Sequence, residues 1–382
     1  MQARTFNQVP KITLTERRSL TLNYNLADAQ NYVSMDECQL AIIDQLPDIF
    51  HTARDTPYAQ LKRDFVSTVQ CSLGQEHALS EANRTLLCYS ATIGLEIAIT
   101  YIRQTRTAKG SVGLIHPTFD TLSYIAHRHG LDVKPIEESE LLDPESLLES
   151  RPFDAIILTL PNNPTGFQLS QDHFSNLVRA CRSTNTLIVI DCCYRYYSQE
   201  SYDFYKVLNA EGVDYLLVED TGKIFPLLDV KLGLLNCNES LFGEVNSIHS
   251  DFLLEVSKFS LLLITRFFKA QDCDARSAYF GTIESNRKRL VSHLKEVGAK
   301  PEGGQNINVQ LMRLPSGTTS SEVQKELSRQ QVGVIDATKL YWADLARGQS
   351  SIRIALARDP MYFSAAIETV QQVLARTSQE QS

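Results

Sequence analysis

The chain has 382 residues, 43% hydrophobic and 21% charged, which is enough to bury a large core and suits two domains, or one large domain with a smaller one appended. A net charge of −8 excludes a broad nucleic-acid face, which needs clustered Lys and Arg, and makes a small molecule the better partner. Residues 1–22 lack the apolar core of a secretory signal and the apolar run 261–264 is far too short to span a bilayer, so a cytoplasmic protein without membrane contact is expected.

The first forty residues are polar, with short apolar pieces at Leu20 to Leu22 and at Leu26, and read as an arm that packs on the core. Runs rich in Ile, Leu and Val follow at 86–90, 112–116, 132–136, 155–160, 186–191 and 215–219, mostly separated by helical-period stretches such as 92–106, 118–130 and 171–184. Runs apolar on both faces suit strands covered on both sides, so an α/β fold with a mostly parallel sheet is expected. Ligands then belong at the carboxyl ends of its strands. Beyond about residue 245 an apolar-periodic stretch at 247–270 predicts a long connecting helix, and 286–297 a charged one. A break at Gly303-Gly304, an alternating strand at 306–311 and a last helix at 361–375 complete a smaller α+β domain. The expected division is an arm or lid at 1–45, a large cofactor-binding domain at 46–250 and a small domain at 251–382.

Eight cysteines carry no CxxC spacing, and Cys192 and Cys193 are adjacent, so reduced thiols and no metal site are expected. The chemistry sits at strand ends instead. Ser90-Ala91-Thr92 opens a helix, whose free N–H groups and dipole favour a phosphate, although a plain Ser/Thr cap reads the same way. Asn162-Asn163-Pro164-Thr165-Gly166 is by itself a competent turn, and a lone lysine after a strand is usually solvated. Their order with Asp191-Cys192-Cys193-Tyr194, Asp220-Thr221-Gly222-Lys223 and Lys231 is far less ordinary.

That series resembles the fold-type I pyridoxal-phosphate (PLP) enzymes of the aspartate aminotransferase superfamily. The resemblance implies that Lys223 holds the cofactor aldehyde as a Schiff base and moves the substrate Cα proton. It makes Asp191 the partner of the pyridine nitrogen, Asn163 and Tyr194 donors to the phenolic oxygen, and Phe119 the ring-stacking aromatic. Ser90, Ala91, Thr92 and Lys231 would face the phosphate, Thr221 would also touch the cofactor, and Arg353 would grip the substrate carboxylate. Two departures stand out. Lys231 replaces an arginine, keeping the charge but not the planar fork. Asp220 replaces a phosphate-binding serine; a carboxylate cannot usefully face a phosphate, which points to a cationic substrate.

Over nearly the whole chain, the strings CYSATIGLEI, HPTFDT, LPNNPTG, VEDTGKIFPLLDVKLGLL and HSDFLLEVS resemble the oxygen- and PLP-dependent L-arginine oxidases of natural-product pathways. That family implies oxidation of L-arginine by O2 without transamination, some members hydroxylating Cγ and others desaturating the side chain. Thr13, Glu16 and Asp28 match positions facing the guanidinium, and Glu16, Asp28 and Asp220 together form a carboxylate clamp. Gln30 stands where hydroxylating relatives carry histidine; an amide can orient water but cannot take its proton. Desaturation through quinonoid intermediates is therefore expected, giving an unsaturated imine or 2-oxo acid, hydrogen peroxide and ammonia, with a homodimer and a downstream imine reductase as partners. The alternatives are a 4-hydroxylase-deaminase of the same family, an ordinary aminotransferase, and a non-catalytic PLP sensor, for which no DNA-binding appendage precedes residue 40.

Overall fold

The computed structural model describes residues 11–78, 84–106, 108–199, 202–271 and 273–379. Residues 1–10 of the expected arm lie outside them. Among the described residues no helix is long and apolar enough to cross a membrane, and no group of three or more His, Cys, Asp or Glu could hold a metal ion.

The strands in chain order are β1 (Tyr24–Asn25), β2 (Leu86–Cys88), β3 (Val112–His116), β4 (Val133–Glu137), β5 (Ala155–Thr159), β6 (Leu187–Asp191), β7 (Tyr215–Asp220), β8 (Gly233–Cys237), β9 (Lys300–Glu302), β10 (Val309–Arg313), β11 (Val332–Gly333), β12 (Ile335–Asp336) and β13 (Ser351–Ala355). A seven-stranded sheet runs β2-β8-β7-β6-β5-β3-β4, parallel from β7 to β4, with β8 antiparallel to both neighbours. Its central strands β3, β5 and β6 are buried along their whole length, which explains their continuous apolar sequence. The fold is thus the α/β arrangement expected.

Strand β8 is absent from the sequence expectation. It follows the Lys223–Lys231 segment directly, and its short buried run Gly-Leu-Leu-Asn-Cys has no flanking turn signal of its own. Gly233 opens it because a Cβ there would lie 2.8 Å from the Ser90 carbonyl carbon. Only a glycine lets this strand press against the turn that begins the helix Ala91–Thr105.

The long connecting helix over 247–270 is a correction. The chain forms two helices there, Glu239–Phe252 and Lys258–Ala270, because Leu253 turns extended and Ser257 caps the second helix through the Ser260 N–H. Leu254 in the break is 91% exposed, so it had no place on a buried helical face. The longest helix follows as Cys273–Glu296 and contains most of the predicted charged helix. The predicted strand at 306–311 lies slightly later, as β10, and the last helix is Pro360–Gln379.

The second sheet is antiparallel, in the order β12-β13-β10-β9. Residues 24–32 run against this part of the chain: β1 pairs in parallel with β11, the Ala355 N–H donates to Leu26 O at 2.8 Å, and the Tyr32 N–H donates to Ala357 O at 3.0 Å. Ahead of them the helix Ile12–Ser19 lies over the mouth of the large sheet's strand ends, its Ile12 and Ser19 buried.

Candidate active site

A cavity of about 330 Å³ opens beyond the carboxyl ends of β5, β6 and β7, lined by Thr159, Asp191 and Asp220 from those ends. Lys223 lies in the turn after β7, with Nζ 5.1 Å from the centre of the Tyr194 ring. Burial works against its ammonium, but Cys193, Tyr194, Asp220 and Asp191 together hold it above the ordinary lysine value.

Asp191 closes β6, and its Oδ1 accepts the Cys193 N–H at 2.9 Å. Burial raises its carboxyl, while the bonds from Cys193 and the charge of Lys223 pull the other way. Three residues on, the Tyr194 hydroxyl is buried without a hydrogen-bond partner among the described residues, and burial pushes the phenol up to about 12. Asn163 and Phe119 complete this wall, Phe119 at the N-cap of the helix Asp120–Arg128.

At the opposite end, Ser90 caps the helix Ala91–Thr105 through the Ile93 N–H, and Ser90, Ala91 and Thr92 all line the cavity. Asp220 sits at the same helix start, where Oδ2 accepts the Ala91 N–H at 2.7 Å and Oδ1 accepts the Gly222 N–H. Lys231 lies beside it, its stem so close to Gly222 that a Cβ there would be 2.6 Å from Lys231 Cδ, and its Nζ donates to Asp229 at 2.9 Å. Thr221 departs from its expected cofactor role. Its hydroxyl accepts the Leu232 N–H at 3.0 Å and donates to Leu232 O at 3.2 Å, so it turns away from the cavity to anchor the entry to β8.

The substrate-side residues other than Asp220 reach the cavity from three segments. The helix Ile12–Ser19 brings Thr13 and Glu16, the loop after β1 brings Asp28 and Gln30, and β13 brings Arg353. Arg353 is fully buried and donates to Glu16 Oε1 at 3.0 Å, to Asn163 Oδ1 at 3.3 Å and to the Ala27 carbonyl. Burial raises the Glu16 carboxyl against the pull of Arg353. Asp28 accepts from Asn25 Nδ2 at 2.7 Å and Tyr32 Oη at 3.1 Å. The expected clamp of Glu16, Asp28 and Asp220 is thus gathered on one cavity, but each carboxylate already holds a partner within the chain. Gln30 Nε2 donates to Asp229, which ties the arm to the Lys231 loop.

Three residues carry this geometry without any sequence signal. Arg358 is buried and donates to Asn25 O at 2.7 Å, Asp28 O at 2.8 Å and Gln30 O at 2.9 Å, fixing the backbone that presents Asp28 and Gln30. Tyr197 donates to the Lys223 carbonyl, and Asn308 Nδ2 bridges Tyr197 Oη at 3.2 Å and Ala29 O at 2.8 Å. Apart from Tyr197 on Lys223, 26 positions apart, these contacts join residues more than 100 positions apart, beyond the reach of any local pattern.

A buried, partnerless phenol, a carboxylate at a strand end, an amine facing both and a helix N-terminus around one cavity fit an aldehyde-bearing, phosphorylated pyridine. The chain belongs to the class I and II aminotransferase family, whose profile matches residues 20–370. Pyridoxal phosphate is the cofactor of that family, and the chain is an enzyme of its fold. It is similar to the histidinol-phosphate aminotransferase of Methanococcus maripaludis, 29% identical over 231 residues, 58% of this chain and 59% of that protein. The match therefore spans about three fifths of this relative's length. Among solved structures it is similar to MppP soaked with the product 2-ketoarginine, with 29% identity and a TM-score of 0.87 over 92% of this chain and 99% of that one. Aspartate aminotransferase from Thermus thermophilus with maleate shares the fold at 16% identity, with a TM-score of 0.74 over 96% of each chain.

Proposed function

We propose that the protein oxidises L-arginine with O2, using pyridoxal phosphate. The observation that carries this reading is the gathering of Glu16, Asp28 and Asp220 on the cavity that also holds Lys223 and Arg353. A guanidinium, with five donors in a fixed plane, suits convergent carboxylates, and an α-carboxylate suits a buried arginine. The likeness to MppP, soaked with its product 2-ketoarginine, supports the same side chain.

When bound, the cofactor supplies an aldehyde for the substrate amine and an electron sink for the carbanion at Cα. Lys223 holds the cofactor and then moves the Cα proton. Asp191 keeps the pyridine nitrogen protonated, and Tyr194 and Asn163 donate to its phenolic oxygen. Ser90, Ala91, Thr92 and Lys231 hold the phosphate, and Phe119 covers the ring. Arg353 orients the α-carboxylate while Thr13, Glu16, Asp28 and Asp220 face the guanidinium. Arginine would lose two hydrogens, which O2 gains as hydrogen peroxide; a second such round with another O2, before the amine is released, would desaturate the side chain. Water would then release ammonia and leave an unsaturated 2-oxo acid. Gln30 lacks a basic nitrogen to activate water, so desaturation is favoured over Cγ hydroxylation. The family is typically dimeric, and a homodimer passing its imine to a reductase in the cytoplasm, as a step in antibiotic assembly, fits this reading.

An ordinary aminotransferase is the second reading, favoured by the likeness to histidinol-phosphate aminotransferases. A substrate with a phosphate would have to approach the same carboxylates, which repel it. Spectral titration of the holoenzyme with L-arginine and with histidinol phosphate separates the two. Saturation by arginine alone is expected; saturation by histidinol phosphate alone would replace the arginine reading.

A further inference from the structure

The helix Ile12–Ser19 delivers Thr13 and Glu16 to the cavity, yet among the described residues no neighbour in sequence caps it with its side chain. Its N-cap residue, Lys11, makes no side-chain capping bond, and its first turn contains no acid. The Ile12 N–H is instead donated to Asp120 Oδ2, 108 positions away, at 3.1 Å. Asp120 is 1% exposed, and its other oxygen, Oδ1, has no hydrogen-bond partner among the described residues. It belongs to the first turn of the helix Asp120–Arg128, directly after Phe119, so one short segment touches both the expected cofactor face and the arm. An acid at a helix start also opposes the positive end of the helix dipole.

We infer that Asp120 is a positioning residue: it seats the helix Ile12–Ser19 over the cavity, and through Thr13 and Glu16 it governs capture of the substrate's cationic end. The second half of this statement rests on the arginine reading; the first does not.

The groups around Asp120 define its response to pH. Lys11 and Glu16 face it from the arm helix, Lys339 from the turn Ala337–Leu340, and Tyr124 from its own helix. Lys11 and Lys339 lie over the Tyr124 ring at 4.3 and 4.9 Å. Burial pushes the Asp120 carboxyl from the ordinary 3.8 up to about 6; the Ile12 N–H and Lys339 moderate this rise, Glu16 adds to it, and Lys11 opposes it. The arm's own contacts act on this carboxyl in both directions, the Ile12 N–H and Lys11 toward the ionised form and Glu16 toward the protonated one.

Arg17 and Arg18 are exposed on the same helix, so limited trypsin digestion of the holoenzyme, read by mass at those two bonds, reports seating without any substrate. Asp120→Ala removes the acceptor, and cleavage should accelerate by about tenfold, the effect of an unmet buried N–H, with cofactor occupancy unchanged. The dissociation constant for arginine, from spectral titration, should rise by a similar factor. Asp120→Asn keeps an acceptor oxygen without the titrating proton. It should restore protection. Cleavage of Asp120→Ala at the parent rate, or of Asp120→Asn as fast as Asp120→Ala, overturns the seating role. If the enzyme proves to act on another amine, the digestion result still stands.

Discussion

Glu16 and Arg353 form an ion pair that the proposed substrate must take apart, and this gives a prediction with two opposite signs. Arg353 Nη2 donates to Glu16 Oε1 at 3.0 Å, with the Arg353 side chain fully buried and that of Glu16 19% exposed. Bound arginine would exchange both partners: its α-carboxylate takes Arg353 and its guanidinium takes Glu16. Glu16→Gln keeps the size of the side chain and removes the charge. Losing one partner of a desolvated charged pair costs about 2–5 kcal/mol, and the partial exposure of Glu16 places this site near the lower end. Arginine affinity should thus fall by about 30-fold, the equivalent of ~2 kcal/mol. An amino acid without the guanidinium, such as norvaline, gains nothing from Glu16 and must still displace it from Arg353. Its affinity should rise in the variant, by about fivefold for ~1 kcal/mol of relieved competition. Spectral titration of parent and variant with both amino acids measures the crossover. If both ligands weaken together, or neither changes, Glu16 is not the group that exchanges partners.

Arg358→Met removes the donors to Asn25, Asp28 and Gln30 and leaves buried carbonyls and the Asp28 carboxylate short of partners, so a loss of about 3–5 kcal/mol is expected. The urea midpoint should drop and arginine binding should weaken; an unchanged midpoint would remove Arg358 from the scaffold. Gln30→His supplies a base in the same loop and should raise the hydroxylated share of the product, read by mass spectrometry, since a general base is worth about 10²–10⁴ in rate. A parent product that is already mostly the 4-hydroxy-2-oxo acid would contradict the desaturation reading.

The parallel part of the large sheet was legible because β3, β5 and β6 are apolar on both faces, and the helices between them repeat at helical period. Strand β8 escaped because five residues directly after a functional turn leave no pattern to count. The predicted helix over 247–270 failed for a local reason, the Ser257 cap and the extended Leu253, which hydrophobic period alone does not weigh. In the site, Lys223, Asp191, Tyr194 and Asn163 could be singled out because each follows a strand at a spacing that a PLP site requires, and the fold brings them to one cavity. What was not legible were Asp120 on Ile12 and Arg358 on three carbonyls, which long separation hides, and the nearer contacts of Tyr197 on Lys223 and of Thr221 on Leu232, which leave no periodic pattern. Nor did the acidic residues at 16, 28 and 220 reveal that each would already hold a partner.

The most direct test of the central claim is oxygen uptake by the holoenzyme given L-arginine and no 2-oxo acid acceptor. The account predicts sustained O2 consumption with release of hydrogen peroxide and ammonia while the cofactor keeps its aldehyde oxidation level. Conversion of the cofactor to its amine form in a single turnover, without O2 consumption and relieved only by an added 2-oxo acid, would show an aminotransferase and contradict it.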